Sequence, residues 1–252
     1  MDRLPWADHY QAPQLRRWLD AMPRRFSCRA FTGPADLSQT TALAYAATRV
    51  SLKGIRIAVS NKNAESLIVS LPLFPKFEGV CQYAAVYAIK DTELARLRAG
   101  VSGEAFALEA AAMGLACCWM TGNYRRNALE ASPNERESLA AIIILGKPGD
   151  PEGARNRKRK PLSAFCPDDP ASWPNWAYKA AEAMRSAPSA MNRQPWKISC
   201  AGQTLSFTGS RLDSIDSGIA LLHLECAAHE YARRWRLSKD GKSILLQIED
   251  KV

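Results

Sequence analysis

The chain has 252 residues, of which 47% are apolar and 23% are charged, and its formal net charge is +9. This composition fits an ordinary globular protein, and no apolar run approaches the roughly 18 residues that predict a membrane-spanning helix. The N-terminus lacks the charged-then-apolar order of a signal peptide, so we expect a cytoplasmic protein without a membrane partner.

Apolar periodicity and proline or glycine breaks divide the first half of the chain into helices and strands. The predicted helices cover residues 14–22, 34–50, 91–99 and 103–116, and the predicted strands cover 55–60, 82–89 and 140–146. The helix at 103–116 is apolar on nearly all sides apart from Glu104 and Glu109. We therefore expect it to form the spine of the core.

The second half again mixes helices with strands after a proline-rich connection at 163–175. Helices are predicted at 176–187 and 217–234, and strands at 196–200, 205–208 and 244–249. Gly202 indicates a hairpin turn between the first two of these strands.

Cysteine and histidine spacings indicate no metal site. No CxxC pair occurs among the seven cysteines, and the adjacent Cys117 and Cys118 cannot easily form a structural bridge. We predict seven reduced thiols, mostly in the core. His223 and His229 lie on a predicted buried helix, where we expect partnered core residues rather than catalysts.

Arg25, Ser27 and Arg29 alternate along a segment that we predict to be extended. Alternate residues of an extended segment point to the same side. Two guanidinium groups and a hydroxyl on one side can bind a phosphate through charge-assisted hydrogen bonds. Alternating arginines at a surface can equally be solvated, so the segment alone leaves both interpretations open.

A polar loop joins the helix at 176–187 to the strand at 196–200, between Pro188 and Pro195. Ser189, Asn192 and Gln194 supply hydroxyl and amide groups along it. Such a loop suits a flat heteroaromatic ring that has several donors and acceptors. The same composition also fits a simple helix-terminating turn.

Five of the positive charges fall between Arg155 and Lys160, so the basicity is concentrated in one short segment. Such a run can be a nucleic-acid patch, a solvated linker or a small phosphate site. Because no RNA-binding motif or interleaved aromatic residues accompany it, we expect no nucleic-acid partner.

The sequence Ala-Pro-Ser-Ala-Met-Asn-Arg-Gln-Pro-Trp at 187–196 resembles the flavin-facing motif of the nitroreductase family, whose members hold FMN. Arg-x-Ser-x-Arg at 25–29 resembles the segment that opens nitroreductases and grips the phosphate and ribityl end of FMN. The likeness covers roughly residues 24–235. It is greatest to the smaller "putative TM nitroreductase" branch, of which the sequence at 215–223 is also typical.

The resemblance implies an FMN site, and matching motif positions identify its residues. The phosphate and ribityl end would be bound by Arg25, Ser27, Arg29, Arg157 and Arg159, and the ring by Pro188, Ser189, Asn192 and Gln194. The backbone of Thr121 and Gly122, in the turn after the buried helix, would face flavin N5. Many family members have an acidic residue in place of Thr121, so only its backbone role is carried over. No side-chain acid or base is evident.

The two buried helices resemble each other: Glu109, Ala111, Ala112 and Trp119 align with Glu225, Ala227, Ala228 and Trp235 at a constant offset. We predict an N-terminal arm (1–23) and one domain (24–252) made of two related halves, 24–147 and 170–252, joined by a basic and proline-rich linker at 148–169. Ordinary nitroreductases are homodimers, so the resemblance implies one chain that imitates a dimer and keeps a single complete site. We expect a monomer and leave further dimerisation open.

The resemblance also implies an α+β, nitroreductase-like fold, with a central mixed or antiparallel sheet flanked by helices and an internal pseudo-two-fold duplication. The implied function is an FMN-dependent oxidoreductase that passes hydride from NAD(P)H through flavin N5 to a small acceptor, such as a nitroaromatic or a quinone. One alternative is a flavin-binding or flavin-modifying protein without reductase turnover, because fold does not fix function. The other is a cofactor-free scaffold that acts through its basic loop.

Overall fold

The computed structural model describes residues 4, 6–60, 64–69, 72, 76–90, 94–150 and 158–249. Its helices are α1 (Ala12–Ala21), α2 (Leu37–Val50), α3 (Ala95–Ala112), α4 (Asn175–Ser186) and α5 (Ile215–Ala227). Its strands are β1 (Phe31–Gly33), β2 (Ile55–Ser60), β3 (Gln82–Ile89), β4 (Ala116–Met120), β5 (Glu137–Pro148), β6 (Trp196–Ala201), β7 (Thr204–Gly209), β8 (Arg233–Leu237) and β9 (Ile244–Ile248). The predicted α+β class is confirmed.

Internal contacts divide the chain into two compact units. The first unit contains Met1–Asp20, Arg96–Val101 and Lys158–Val252, and the second unit contains Ala21–Ala95 and Ser102–Arg157. Helix α3 therefore contributes residues to both units.

The second unit is built on a five-stranded antiparallel sheet in the order β1-β5-β3-β2, with β4 also paired to β5. Gln82 of β3 lies opposite Leu145 of β5, and Cys118 of β4 lies opposite Ile144 of the same strand. Residues 141–145 of β5 are 0% exposed. This central strand is therefore the apolar core of the sheet.

The first unit is built on a four-stranded antiparallel sheet in the order β6-β7-β9-β8. Leu205 of β7 lies opposite Cys200 of β6 and opposite Leu246 of β9. The strands thus form two antiparallel sheets rather than the single central sheet that we predicted.

Helices α4 and α5 pack against each other in the first unit. His223 of α5 is fully buried, and its Nδ1 lies 2.9 Å from the carbonyl oxygen of Ala183 and 3.1 Å from Ser186 Oγ on α4. The prediction that His223 is a partnered core residue is confirmed.

Helix α2 begins later than the proline at residue 34 predicts, because Asp36 forms a capping box. Its Oδ1 accepts a 2.8 Å hydrogen bond from the Gln39 N–H, and Gln39 Oε1 accepts a 3.0 Å bond from the Asp36 N–H. These two bonds satisfy N–H groups that the first helical turn leaves without partners.

Helix α3 is continuous where we predicted two helices separated near residues 100–103. Its two interior glycines are sites of close approach rather than breaks. A Cβ on Gly100 would lie 2.2 Å from the carbonyl oxygen of Ile215, and a Cβ on Gly103 would lie 2.3 Å from the ring of Trp119. The helix tolerates these glycines because neighbouring groups occupy the space of their missing side chains.

Strands β4 and β8 were not predicted. The sequence after α3 was interpreted as a turn, and the helix predicted at 217–234 ends at Ala227. Both strands are short and follow a buried, alanine-containing helix. Strand β4 continues an apolar run, which has no periodicity that separates helix from strand. Strand β8 is mostly charged and buries Trp235 alone among its residues, so it also lacks a clear apolar alternation.

The N-terminal arm is part of the core of the first unit. Trp6, Leu15 and Trp18 are fully buried, and Tyr10 is 4% exposed. The ring centroid of Trp6 lies 5.7 Å from that of Trp235 in an edge-on arrangement.

All seven cysteines are free thiols, and five of them are buried, as predicted. Burial raises the pKa of Cys117 to about 12 and that of Cys118 to about 11, so both stay protonated at neutral pH. Among the residues that the structure describes, no group of His, Cys, Asp and Glu side chains is arranged to hold a metal ion. In the same residues, no helix combines the length and apolar character needed to cross a membrane.

Candidate functional site

The loop between α4 and β6 has a backbone that non-glycine residues seldom adopt. Met191, Asn192 and Gln194 have φ angles of 52°, 55° and 49°, which lie in the left-handed region. Such residues cost about 1–3 kcal/mol each and persist only where surrounding contacts fix them. Clusters of this strain occur preferentially at functional sites.

Gln194 is buried inside the loop and forms hydrogen bonds across it. Its backbone N–H donates a 2.8 Å hydrogen bond to Ser189 Oγ, and its Nε2 donates to the backbone oxygen and Oδ1 of Asn192 at 3.1 Å each. Its Oε1 accepts a 3.0 Å bond from the Lys160 N–H, and the residue is only 3% exposed. The described contacts therefore give Gln194 a scaffolding role, and its contact with a ring stays a prediction.

Arg159 supports the same loop from the basic segment. Its Nη2 donates a 3.0 Å bond to the carbonyl oxygen of Ser186, and its Nη1 donates a 3.1 Å bond to Asn192 Oδ1. Ser186 is the last residue of α4, so its carbonyl has no partner within the helix. The phosphate contact of Arg159 stays a prediction, and Arg157 lies outside the described residues.

The two lysines beside Arg159 complete this support. Asn192 Nδ2 donates a 3.0 Å bond to the carbonyl oxygen of Lys158, and Lys160 Nζ donates a 2.7 Å bond to the carbonyl oxygen of Arg193. Residues 158–160 therefore run alongside the loop and fix its second half.

Asp216 contacts the first half of the loop. Its Oδ1 accepts a 3.0 Å bond from the Ala190 N–H, and it lies in the first turn of α5, where the helix dipole favours a carboxylate. Partial burial raises the pKa of Asp216, while the Ala190 N–H and Arg193 act in the opposite direction. Sequence reasoning did not identify this residue, although it lies in the Ile-Asp-Ser-Gly stretch at 215–218.

Of the four loop residues predicted to bind a ring, Pro188 and Gln194 are buried, Ser189 is half-buried and Asn192 is exposed. The Ser189 oxygen accepts from Gln194, and a hydroxyl can still donate its own hydrogen. Ser189 and Asn192 are therefore the members of this group that reach the surface.

The segment at 24–29 is not a regular extended strand. The Cys28 N–H lies 3.1 Å from the carbonyl oxygen of Phe26 and 3.0 Å from that of Cys117, and can donate to both. That Arg25, Ser27 and Arg29 lie on one side stays a prediction, and the three side chains differ in their exposure. Arg25 is 1% exposed, while Ser27 is half-buried and Arg29 is exposed.

Arg25 pairs with a carboxylate inside the second unit. Its Nε lies 3.2 Å from Glu104 Oε1, and the two side chains are 1% and 0% exposed. The positive charge of Arg25 is therefore offset within the core and adds little to the surface charge. Its phosphate contact stays a prediction, and Ser27 and Arg29 are the accessible members of the motif.

The turn after β4 is exposed at Thr121 and Gly122. A Cβ on Gly122 would meet no atom within 4 Å, so the backbone there borders open space. The turn is fixed further along by Asn123, which has a φ of 62° and accepts a 2.8 Å bond from the Val69 N–H. An exposed, fixed backbone with open space beside it can receive a flat ring.

The sequence-predicted residues fall in both units. Ser27, Arg29, Thr121 and Gly122 belong to the second unit, and the 188–194 loop belongs to the first. Within the second unit, Ser27 lies next to β4, since it forms an isolated parallel bridge with Cys117. The two motif segments of the second unit are therefore neighbours.

A family model described as "Putative TM nitroreductase" matches residues 18–228. The chain belongs to the nitroreductase family. The match includes the segment at 25–29, the turn after β4 and the loop at 187–196, so the resemblance noted in the sequence is confirmed. No curated protein sequence matches this nitroreductase.

The chain is also similar to solved structures. A "putative nitroreductase" from Thermotoga maritima is 25% identical, with a TM-score of 0.62, and the match covers 95% of this chain and 94% of that one. A "putative nitroreductase" from Desulfovibrio desulfuricans in complex with FMN is 18% identical (TM-score 0.46; 62% and 98% covered). A nitroreductase with bound FMN from Bacteroides fragilis is 13% identical (TM-score 0.43; 57% and 94% covered). The nearly complete overlap with the Thermotoga protein supports a nitroreductase-like fold for the whole chain.

Proposed function

We propose that this nitroreductase is an FMN-dependent oxidoreductase that transfers hydride from NAD(P)H to a small acceptor, such as a nitroaromatic or a quinone, with one FMN per chain. The observation that carries the proposal is the family match over residues 18–228, which spans every motif of the predicted flavin site. FMN, when bound, supplies two-electron transfer between a reduced nicotinamide and an acceptor, while the protein supplies binding and orientation.

The accessible residues of the second unit suit the phosphate end and the ring of FMN. Arg29 is an exposed cation, and the Ser27 hydroxyl beside it is half-buried; together they offer a charge-assisted and a neutral donor to a phosphate. The backbone of Thr121 and Gly122 borders open space. We propose that this backbone faces the flavin ring, where an N–H group can hold N5 without help from a side chain.

The 188–194 loop supplies the polar groups proposed for the ring edge. Of the residues predicted to contact the ring, Ser189 and Asn192 are the accessible polar ones, and hydrogen bonds with Gln194 and Arg159 hold them in place. Preorganised donors cost no rearrangement when a ligand binds, which favours affinity.

The predicted site residues that are less accessible hold in place the residues that we propose contact FMN. Gln194 and Arg159 both bond to Asn192, and Arg25 is fixed by Glu104 two residues before Ser27. We propose that these residues serve FMN binding through the segments they hold, together with Pro188 at the start of the loop and Arg157 in the basic segment.

FMN titration of the purified protein tests the cofactor, and Arg29→Gln tests the phosphate contact. We expect Arg29→Gln to weaken FMN binding about tenfold or more, because a charge-assisted hydrogen bond is lost, and to leave riboflavin binding unchanged. Arg24→Gln is the matched control, since Arg24 is exposed in the same segment and has no proposed contact. Equal effects of the two variants would reject the specific role of Arg29.

Steady-state oxidation of NADH and NADPH by the FMN-loaded protein tests the reaction. Turnover with a quinone or nitroaromatic supports the oxidoreductase. FMN binding without turnover would instead favour the flavin-binding alternative, and no binding at excess FMN would reject the proposal.

A further inference from the structure

The strained loop at 189–194 depends on contacts from outside it. Three of its six residues are in the left-handed region, and an isolated chain of Met, Asn and Gln has no preference for that conformation. Residues 158–160 fix the second half of the loop through Asn192 and Gln194. The bond from the Ala190 N–H to Asp216 Oδ1, at 3.0 Å, connects the first half to α5.

The first turn of α5, which carries Asp216, is held in place by close packing. Gly218 packs so closely that an added Cβ would lie 2.1 Å from the carbonyl oxygen of Leu97. Because the contact is backbone against backbone, the first turn of α5 cannot shift without breaking it.

The carboxylate of Asp216 is not needed as the cap of its own helix. Ser214 already caps α5, since its Oγ accepts a 3.1 Å bond from the Ser217 N–H. The side chain of Asp216 is instead directed to the loop, where it also lies close enough to Arg193 to interact electrostatically.

We propose that Asp216 is a positioning residue for flavin binding: by fixing the Ala190 N–H against α5, it sets the conformation in which Ser189 and Asn192 meet the cofactor. This inference rests on the proposed FMN function. Asp216 itself needs no contact with FMN, so its effect passes through the backbone of the loop.

The bond can be removed from either end. Asp216→Ala removes the acceptor, and Asp216→Asn keeps an oxygen acceptor without the charge. Ala190→Pro removes the donor N–H and leaves α5 unchanged. Proline fits here because Ser189, which precedes it, is extended, with φ −148° and ψ 161°.

Asp213→Ala is the matched control. Asp213 also accepts a 3.0 Å backbone bond at the start of α5, but from Leu97 rather than from the loop. We expect Asp213→Ala to lower the midpoint of thermal unfolding and to leave the FMN dissociation constant unchanged.

The test is an FMN titration of the full-length variants, read by quenching of flavin fluorescence. We expect Asp216→Ala and Ala190→Pro each to weaken FMN binding by about tenfold to a hundredfold, the loss of one hydrogen bond to a charged group. Asp216→Asn should recover most of the affinity. The double variant Asp216→Ala with Ala190→Pro should bind no more weakly than either single variant, because both remove the same bond.

Wild-type affinity in Asp216→Ala, or additive losses in the double variant, would overturn the proposal. An equal loss of FMN affinity in Asp213→Ala would also overturn it, because the effect would then be one of general stability. If Asp216→Ala does not fold, Ala190→Pro still decides the outcome. Failure of the wild-type protein to bind FMN is a separate result, seen without any variant, and rejects the proposed function itself.

Discussion

Trp119 of β4 donates a 2.8 Å hydrogen bond from its indole nitrogen to Glu104 of α3. In the first unit, Trp235 of β8 donates the corresponding bond to Glu225 of α5. Each of these buried glutamates also pairs with an arginine. The same arrangement therefore occurs once in each unit, although the sequence alignment placed Glu109, not Glu104, opposite Glu225.

Replacing either tryptophan tests whether the two arrangements are energetically alike. Trp119→Phe and Trp235→Phe should each lower the free energy of unfolding by about 1.5–3 kcal/mol, the loss of a hydrogen bond to a charged acceptor. Urea unfolding measures both. Trp176→Phe is the control, because Trp176 donates a 2.9 Å bond to the neutral amide of Gln203. An equal loss in that variant would mean that the charge of the acceptor contributes nothing.

Gly100→Ala and Gly103→Ala should destabilise the protein, although alanine favours an ordinary helix by about 1 kcal/mol. Overpacking typically costs about 1–3 kcal/mol. Gly100→Ala should be the more harmful, because its Cβ would meet a backbone oxygen at 2.2 Å, whereas that of Gly103 would meet a side-chain ring. Thermal unfolding ranks the variants, and Ala42→Gly on the exposed face of α2 gives the ordinary propensity difference. A stabilised Gly100→Ala would contradict the close contact.

The Arg56–Glu137 pair should contribute stability that depends on pH. Arg56 Nη2 lies 2.6 Å from Glu137 Oε2, and its hydrogen bond holds the pKa of Glu137 below the usual range. A carboxyl with a lowered folded-state pKa stabilises fully above its unfolded pKa of about 4.3, and this contribution disappears as the pH falls through the lower folded value. Arg56→Gln should therefore destabilise the protein at pH 7 and much less in acid below that folded value.

Unfolding curves of the wild-type and Arg56→Gln proteins, measured at pH 7 and in acid below the folded-state pKa of Glu137, check this expectation. Arg49→Gln is the control, since Arg49 is exposed over the ring of Tyr45 at 5.6 Å and should show little effect at either pH. A difference between wild type and Arg56→Gln that stays constant with pH would contradict the role of the ion pair.

Alkylation of the native protein should separate the cysteines by burial. Cys81 and Cys200 are partly exposed, and the other five are buried. Cys117 and Cys118 should react last, because the thiolate is the reactive form and burial raises the pKa of each thiol. Peptide mass spectrometry after a short exposure to iodoacetamide measures the order, and early modification of Cys117 would contradict it.

The sequence located some strands within the limits that chain breaks mark, and it missed others. Strands β2 and β3 have their predicted bounds, 55–60 and 82–89. Gly54, which has a φ of 84°, marks the start of β2. Strand β4 was missed although Gly114, which has a φ of 80°, marks the end of α3, because the residues of β4 continue the apolar composition of the helix.

At the site, the sequence identified the segments better than the role of each side chain. The contact of Gln194 with a ring stays a prediction, while the structure shows that its amide bonds to Asn192 within the loop. Arg25 was predicted to bind a phosphate together with Arg29, and the structure shows that it is buried and pairs with Glu104. Both sets of contacts depend on the folded chain around these residues, which their residue types do not specify.

The buried N-terminal arm has a practical consequence for anyone who trims this protein. The family match begins at residue 18, so homology alone would recommend a shortened expression clone. Trp6 and Tyr10 lie before that point and are buried, the first against Trp235. A clone that starts at the boundary of the family model would uncover an aromatic surface and should aggregate, because buried residues of the first unit precede that boundary.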